Sequence, residues 1–356
     1  MDKNRRERPR RSPLRRALQM LIALLAIAGL AAGGLLYFAY RQFADAPIAG
    51  LAPNAQIEVP LGSPLPTVIT QLQSLGADPG NPYLWRLLAR ELGVGAKLHA
   101  GEYQLEAGIT PSALLRKMAA GDVVQHRFTI VEGWTFAQLR RALDDDKGLR
   151  NEPCGSAPAG ECAGKDLMRR LGEAEVEPEG QFLPETYSYV KGMSDLDILK
   201  RAHDALRKTL ARLWPERAAD TPLKSDYEAL TLASIVERET GRAEERPQIA
   251  RVFLSRLKLG MKLQTDPTVI YGLGAAFDGN LRRSDLETDT PFNTYTRSGL
   301  PPTPIALPGK AALAAVIHPA TTEALYFVAR GDGTHEFSPT LEAHNRAVAK
   351  FQLHRK

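Results

Sequence analysis

From Ala17 to Tyr40 the chain runs for 24 residues without an Asp, Glu, Lys or Arg, rich in Leu, Ala and Ile, with Tyr37 and Tyr40 at the distal end. At about 1.5 Å per helical residue, such a stretch crosses the roughly 30 Å hydrocarbon layer of a bilayer with some tilt. The first sixteen residues hold eight basic side chains against Asp2 and Glu7, a local charge of +6 in a chain whose total is +5, so the remainder sums to −1. Basic residues flanking an apolar span stay in the cytoplasm, which places the N-terminus there and the body across the membrane. A cleaved signal peptide competes with this reading, because Ala28 to Gly34 offers small residues for processing. The apolar core of a signal peptide is only about 7–15 residues long, which favours an uncleaved anchor.

The charge distribution bears on partners. With the basic excess confined to a tail, the body presents no general nucleic-acid surface, which would need clustered Lys and Arg on a folded face. A length of 356 residues allows two or three small domains. The seven histidines are scattered without ligand spacing, so neither a metal nor another cofactor is expected. Cys154 and Cys162 lie in a Gly-, Pro- and Ala-rich stretch, where an extracytoplasmic disulfide would close a small loop.

Periodicity predicts an α+β fold in parts. Residues 1–16 form the basic tail, 17–40 the transmembrane helix and 41–53 a short stalk. Residues 54–122 alternate strand and helix signals: Gln56–Val59 and Gly101–Leu105 read as strands, Leu65–Leu75 and Pro82–Leu92 as helices. Residues 123–356 read as a mainly helical domain with a small sheet, interrupted by an insertion-like loop at 148–165. Ser194 opens a helix to about Leu213. Further helices are expected at 224–240 and 246–259, then a hairpin around Gly331-Asp-Gly333, then a terminal helix capped at Ser338-Pro339. One internal similarity stands out. Tyr103–Thr110 leading into Pro111–Met118 parallels Phe128–Thr135 leading into Phe136–Leu143. Each pairs an extended segment with a Gly able to take an unusual backbone angle and a Thr able to cap a helix, a recurring strand–turn–helix unit rather than a solenoid.

Several catalytic signatures are missing: no Gly-x-Ser-x-Gly elbow, no phosphate-cradling loop with Lys and no His-Glu-x-x-His. The conspicuous feature is Leu230-Thr-Leu-Ala-Ser-Ile-Val-Glu237-Arg-Glu239. A helix apolar nearly all round is a buried one, and it delivers two carboxylates near its C-terminal end. Burial and the negative helix end both raise a carboxyl pKa, which suits a general acid. Alternatively, either Glu pairs with Arg238, Arg242 or Arg246 and simply ends the helix. Periodicity does not choose between Glu237 and Glu239. Downstream, Leu263-Gln264-Thr265-Asp266-Pro267 with Tyr271, Asn293-Thr294-Tyr295, Gly299–Pro302, His318-Pro319 and His335 bring amide, hydroxyl and aromatic groups of the kind that bind sugars.

In order and spacing, Ala233–Thr240, Leu263–Gly272, Asn293–Tyr295, Gly299–Pro302 and His318-Pro319 resemble the endolytic murein transglycosylases, the YceG-like family, and Glu132-Gly-Trp134 and Pro178-Glu-Gly180 match as well. The likeness covers the anchor and most of the remaining chain; the Cys-bearing stretch departs from it. The resemblance implies a LysM-like module at 54–122 and a catalytic domain behind it. It implies a lyase that cleaves nascent peptidoglycan glycan strands between N-acetylmuramic acid and N-acetylglucosamine, leaves 1,6-anhydro ends and terminates elongation. It also implies Glu237 as the single acid-then-base. Gln264, Asp266, Asn293, Tyr295 and Glu239 are then expected to position substrate, and peptidoglycan synthases are expected partners at the inner membrane. A non-catalytic glycan-binding scaffold and a water-adding glycoside hydrolase remain as alternatives, each with different products.

Overall fold

A computed structural model describes residues 13–60, 62–95, 98–152 and 164–353, which fall into two compact units, Met1–Val124 and Gln125–Lys356. Cys154 and Cys162, with most of the insertion-like loop, lie outside the described residues.

The first unit comprises α1 (Pro13–Asp45), β1 (Ala55–Val59), α2 (Leu65–Ser74), α3 (Pro82–Glu91), β2 (Gly101–Leu105) and α4 (Pro111–Ala120). β1 and β2 pair antiparallel with Ile57 opposite Tyr103, so Ile57, Val59, Tyr103 and Leu105 all face inward. A two-stranded sheet is marginal alone. Here its inner face packs on Val68, Leu72, Trp85, Leu88, Leu114, Leu115 and Met118, and each fully buried large side chain contributes about 1.5–3 kcal/mol. The polar edges of two core aromatics are satisfied: Trp85 Nε1 donates to the Pro79 carbonyl at 2.7 Å and the Tyr103 hydroxyl to the His99 carbonyl at 2.6 Å.

The apolar stretch of α1 is long enough to cross a membrane, and its side chains from Leu18 to Phe38 pack against no other part of the protein. Its distal end behaves differently. Residues 41–53, read from the sequence as a stalk, are drawn into the first unit. The helix continues to Asp45, Phe43 meets Trp85 edge-on at 5.8 Å, and Ala44 and Ile48 are buried. The Ile48 amide donates to the Ile109 carbonyl at 3.0 Å. The physical reason is that Phe43, Ala44 and Ile48 supply apolar surface that a free linker would leave in water.

The second unit comprises β3 (His126–Thr129), α5 (Phe136–Asp145), α6 (Gly164–Arg170), β4 (Thr186–Tyr189), α7 (Asp195–Leu213), α8 (Asp226–Glu239) and α9 (Arg246–Lys258), followed by α10 (Asp266–Leu273), α11 (Arg283–Glu287), α12 (Lys310–Ile317), β5 (Tyr326–Ala329), β6 (His335–Ser338) and α13 (Leu341–Val348). β3 pairs antiparallel with β4, and β5 with β6. The architecture is mixed, with short two-stranded sheets among many helices. The strand–turn–helix likeness is real. Gly108 and Gly133 take φ of +78° and +77°, and Thr110 and Thr135 accept from Ala113 and Gln138 amides to cap α4 and α5. The terminal helix starts two residues later than expected. Thr340 caps it, because Ser338 is taken as the last residue of β6.

At the centre of this unit lies α8. Ser225 caps it by accepting from the Glu228 amide, and every residue from Ala229 to Val236 is buried. α7, α9, α10 and α12 surround it. The polar residue at its heart, Ser234, is fully buried; its hydroxyl donates to the Thr231 carbonyl at 2.7 Å and accepts from the Ile305 amide at 2.9 Å. Ser234→Ala would strand that amide in the core. The expected cost is about 1–3 kcal/mol, read as a lower denaturation midpoint with unchanged slope.

Candidate active site

The two carboxylates that close α8 are two residues apart, hence about 200° apart around a helix of 3.6 residues per turn. They enter different surroundings.

The Glu237 carboxylate is 4% exposed. One oxygen accepts from Arg246 Nη2 at 2.7 Å and the other from the Gly309 amide at 2.9 Å. The same guanidinium lies 3.6 Å from Glu132, whose segment is held by Gly133 and Trp134 pairing with Leu307 at 2.9 and 2.7 Å. Gly309 lets the Glu132 side chain lie close, since a Cβ there would displace that carboxylate. Burial raises the Glu237 pKa, opposed by the Gly309 amide and Arg246, with Glu132 raising it further. Both oxygens are therefore engaged in joining α8, the start of α9 and the 307–309 segment.

Glu239 points into a cavity of about 460 Å³. Gln264, Asp266 and Tyr295 line the same cavity, so four of the six site residues expected from the sequence come together here. Glu239 Oε2 accepts from the Thr265 hydroxyl at 2.7 Å. Burial pushes its carboxyl above the ordinary value. The Thr265 bond works against this, the Asp266 charge adds to it, and His335 and Arg256 oppose it. Asp266 accepts from the Tyr295 hydroxyl at 2.6 Å, and burial followed by that acceptor raises the Tyr295 pKa. Gln264 adopts a φ of +50°, one of two non-glycine residues with positive φ among those described. A side chain held in that region stores strain, which here turns it toward the cavity wall.

Asn293 does not line the cavity. Its side-chain nitrogen donates to the carbonyls of Asp285, Leu286 and Thr288 at 3.2, 3.0 and 2.6 Å, and its oxygen accepts from the Tyr295 and Thr296 amides at 2.8 and 3.3 Å. An amide so saturated builds the loop rather than recognising a ligand. Its neighbour Thr294 couples that loop to the cavity floor, accepting from the Thr265 amide at 3.1 Å and meeting the Thr268 hydroxyl at 2.8 Å. His318 also lies elsewhere, paired with Glu216 at 3.2 Å.

Two further groups stand in the cavity wall, Arg256, to which sequence reasoning assigned no role, and His335, which it placed among the sugar-binding residue types. Arg256 holds the floor in shape by donating to the Leu263 and Leu325 carbonyls, each at 2.7 Å. His335 is oriented by the buried Glu245, which accepts from its Nδ1 at 2.7 Å and its amide at 2.9 Å. A His beside a Gly-Asp-Gly turn was visible in the sequence; its partner ninety residues upstream was not.

Glu179, in the Pro178-Glu-Gly180 motif, is a further buried acid, 7% exposed. It accepts from the Phe136 amide at 3.0 Å and the Tyr271 hydroxyl at 3.1 Å, and burial lifts its pKa from 4.5 to about 7 despite these bonds. Between pH 4.5 and 7 the folded chain therefore holds a proton that the unfolded chain releases, so stability falls as pH rises through this window. Glu179→Gln keeps an acceptor and removes the titration. Its melting temperature is expected to match the wild type near pH 4.5 and exceed it above pH 7, a gap of up to roughly 3 kcal/mol. A gap independent of pH would contradict this.

Residues 57–350 match the YceG-like family. The chain is 31% identical over 263 residues to the endolytic murein transglycosylase of Bacillus subtilis, covering 71% of this chain and 72% of that one. It is 27% identical over 362 residues to the endolytic murein transglycosylase of Streptococcus pneumoniae, covering 92% of this chain but only 64% of the longer relative. A crystal structure at 2.6 Å of a YceG-like protein from Listeria monocytogenes is similar with a TM-score of 0.51 and 27% identity, over 82% of this chain and 98% of that one. The chain belongs to the YceG-like family.

Proposed function

We propose that this protein is a membrane-anchored lytic endotransglycosylase that cuts peptidoglycan glycan strands between N-acetylmuramic acid and N-acetylglucosamine, with Glu239 rather than Glu237 as its acid. The observation that carries the assignment is the company each carboxylate keeps. Burial raises the pKa of both, but Glu239 lines a cavity with amide, hydroxyl and aromatic groups, while both oxygens of Glu237 are engaged within the protein. The names carried by the Bacillus and Streptococcus relatives support the substrate.

In this mechanism the protonated Glu239 gives its proton to the glycosidic oxygen, and the bond from that oxygen to the muramoyl C1 breaks. The substrate's acetamido oxygen stabilises the positive C1, so no protein nucleophile is required, whereas ordinary retaining and inverting hydrolases use two carboxyl groups. The Glu239 carboxylate then takes the proton from the muramoyl C6 hydroxyl, whose oxygen closes onto C1 as the 1,6-anhydro ring. No water is consumed and the acid is regenerated. Gln264, Asp266 and Tyr295 hold the sugars; Asn293 and Thr294 act one step back by shaping the loop that carries Tyr295.

The remaining parts follow. The order β1-α2-α3-β2 supports a LysM-like reading of residues 54–122, with 123–356 as the catalytic domain. The basic residues before α1 support a cytoplasmic N-terminus and a periplasmic or extracytoplasmic body. An enzyme held at the membrane meets strands as they are polymerised, which favours a role in terminating nascent chains beside the synthases that make them.

Product analysis of full-length protein with peptidoglycan tests the assignment. Wild type should release fragments with 1,6-anhydro ends, and Glu239→Gln should lower the rate by at least about 10²-fold. Glu237→Gln should keep the product and lose roughly 3 kcal/mol of stability, because Arg246 is left poorly compensated. The reverse pattern would return the acid to Glu237; reducing ends would indicate hydrolysis, and an unchanged wall a scaffold.

A further inference from the structure

A second cavity of the same unit, about 700 Å³, is larger than the one that holds Glu239. Its lining holds two basic side chains and one buried acid. Arg141 and Arg238 both line it, and among the described residues neither guanidinium has a carboxylate at ion-pair distance; Arg238 donates only to the Gly133 carbonyl at 3.2 Å. The acid in its wall, Glu179, is held instead by the Phe136 amide and the Tyr271 hydroxyl. With a pKa near 7, Glu179 is also only partly charged at neutral pH. The wall between these polar groups is apolar, made by Ile270, Ala275 and Ile305. Two unpaired guanidiniums over a small apolar floor suit a ligand with carboxylates and short aliphatic groups.

The location narrows the ligand. Asp266 lines the first cavity and the next residue, Pro267, lines the second; Glu239 lines the first and the preceding Arg238 lines the second. Adjacent residues lie about 3.8 Å apart, so one thin wall, formed by the end of α8 and the start of α10, separates the two spaces. A muramoyl residue carries its peptide on a lactyl ether at C3, and that peptide offers carboxylates and alanine methyl groups. Resting on the glycan-cleaving reading above, we propose that the second cavity binds the stem peptide of the muramoyl residue, through carboxylate contacts to Arg141 and Arg238. The protein would then distinguish peptide-bearing strands from bare glycan.

Two measurements on the full-length protein in detergent test this. The first is equilibrium binding of a free L-alanyl-γ-D-glutamyl stem peptide and of the same peptide with its carboxylates amidated. The acidic peptide should bind wild type, and Arg141→Gln with Arg238→Gln should weaken it by at least tenfold to the level of the amidated one. Equal binding of both peptides, or equal binding by wild type and the double variant, would overturn the proposal whether or not strands are cut. The second compares cleavage of uncrosslinked strands with and without stems. Arg141→Gln should raise KM about tenfold on peptide-bearing strands and leave both constants unchanged on stripped ones, which reports intact folding. An equal rise on both substrates, or none on either, would overturn it. Absence of anhydro products from wild type on every strand, with peptide binding intact, would instead count against the cleavage reading alone.

Discussion

Burial of α8 on all sides is the constraint from which the site follows. A helix surrounded by α7, α9, α10 and α12 cannot leave a polar end unattended, because each buried charge or amide without a partner costs several kcal/mol. The end of α8 answers in two ways. Glu237 is neutralised by Arg246 and the Gly309 amide and holds three segments together. Glu239, about 200° around the helix, accepts from the Thr265 hydroxyl at the wall of a cavity, and burial, helped by the Asp266 charge, disfavours its charged form. The same physical pressure makes one carboxylate a brace and leaves the other at a cavity wall.

The cavity around Glu239 is assembled from segments far apart in the chain, and interior hydrogen bonds tie those segments together. Arg256 gathers the Leu263 and Leu325 carbonyls, the threonines at 265, 268 and 294 lock two loops together, and Asn293 spends its whole amide folding its own loop. Such groups are second to the chemistry but set its geometry, since a displacement of about 1 Å at a catalytic group costs roughly 10²-fold in rate.

In the first unit the anchor helix and the folded module are continuous. Phe43 and Ala44 belong to the module's core while Leu18 to Phe38 remain without protein neighbours. A helix that is apolar all round and uncovered along most of its length needs an apolar medium, and one whose end is packed in a core gives its module little slack. The module is thereby tied closely to whatever surface the helix enters.

Much of this was legible in the sequence. The charge-free run at 17–40 identifies a membrane-crossing length, period-2 and period-3.6 patterns locate β1, β2 and most helices within a residue or two, and the motif order identifies the family. Those properties are local: they depend on side-chain chemistry and spacing along one element. The choice between Glu237 and Glu239 was not legible. An amphipathic helix announces its inward face, but α8 is apolar all round, so its sequence fixes the angle between the two carboxylates and not the direction either one points. Only the packing of α9, the 307–309 segment and the 263–266 loop against it decides that Glu237 meets a guanidinium and Glu239 a cavity. Likewise Asn293, a sugar-binding residue type by its chemistry, becomes a loop brace because three carbonyls converge on it. Glu179 becomes an acid with a pKa of about 7 because its burial outweighs the hydrogen bonds from Phe136 and Tyr271. Burial and partnership are properties of the assembled chain, which is why the tertiary structure alone could assign them.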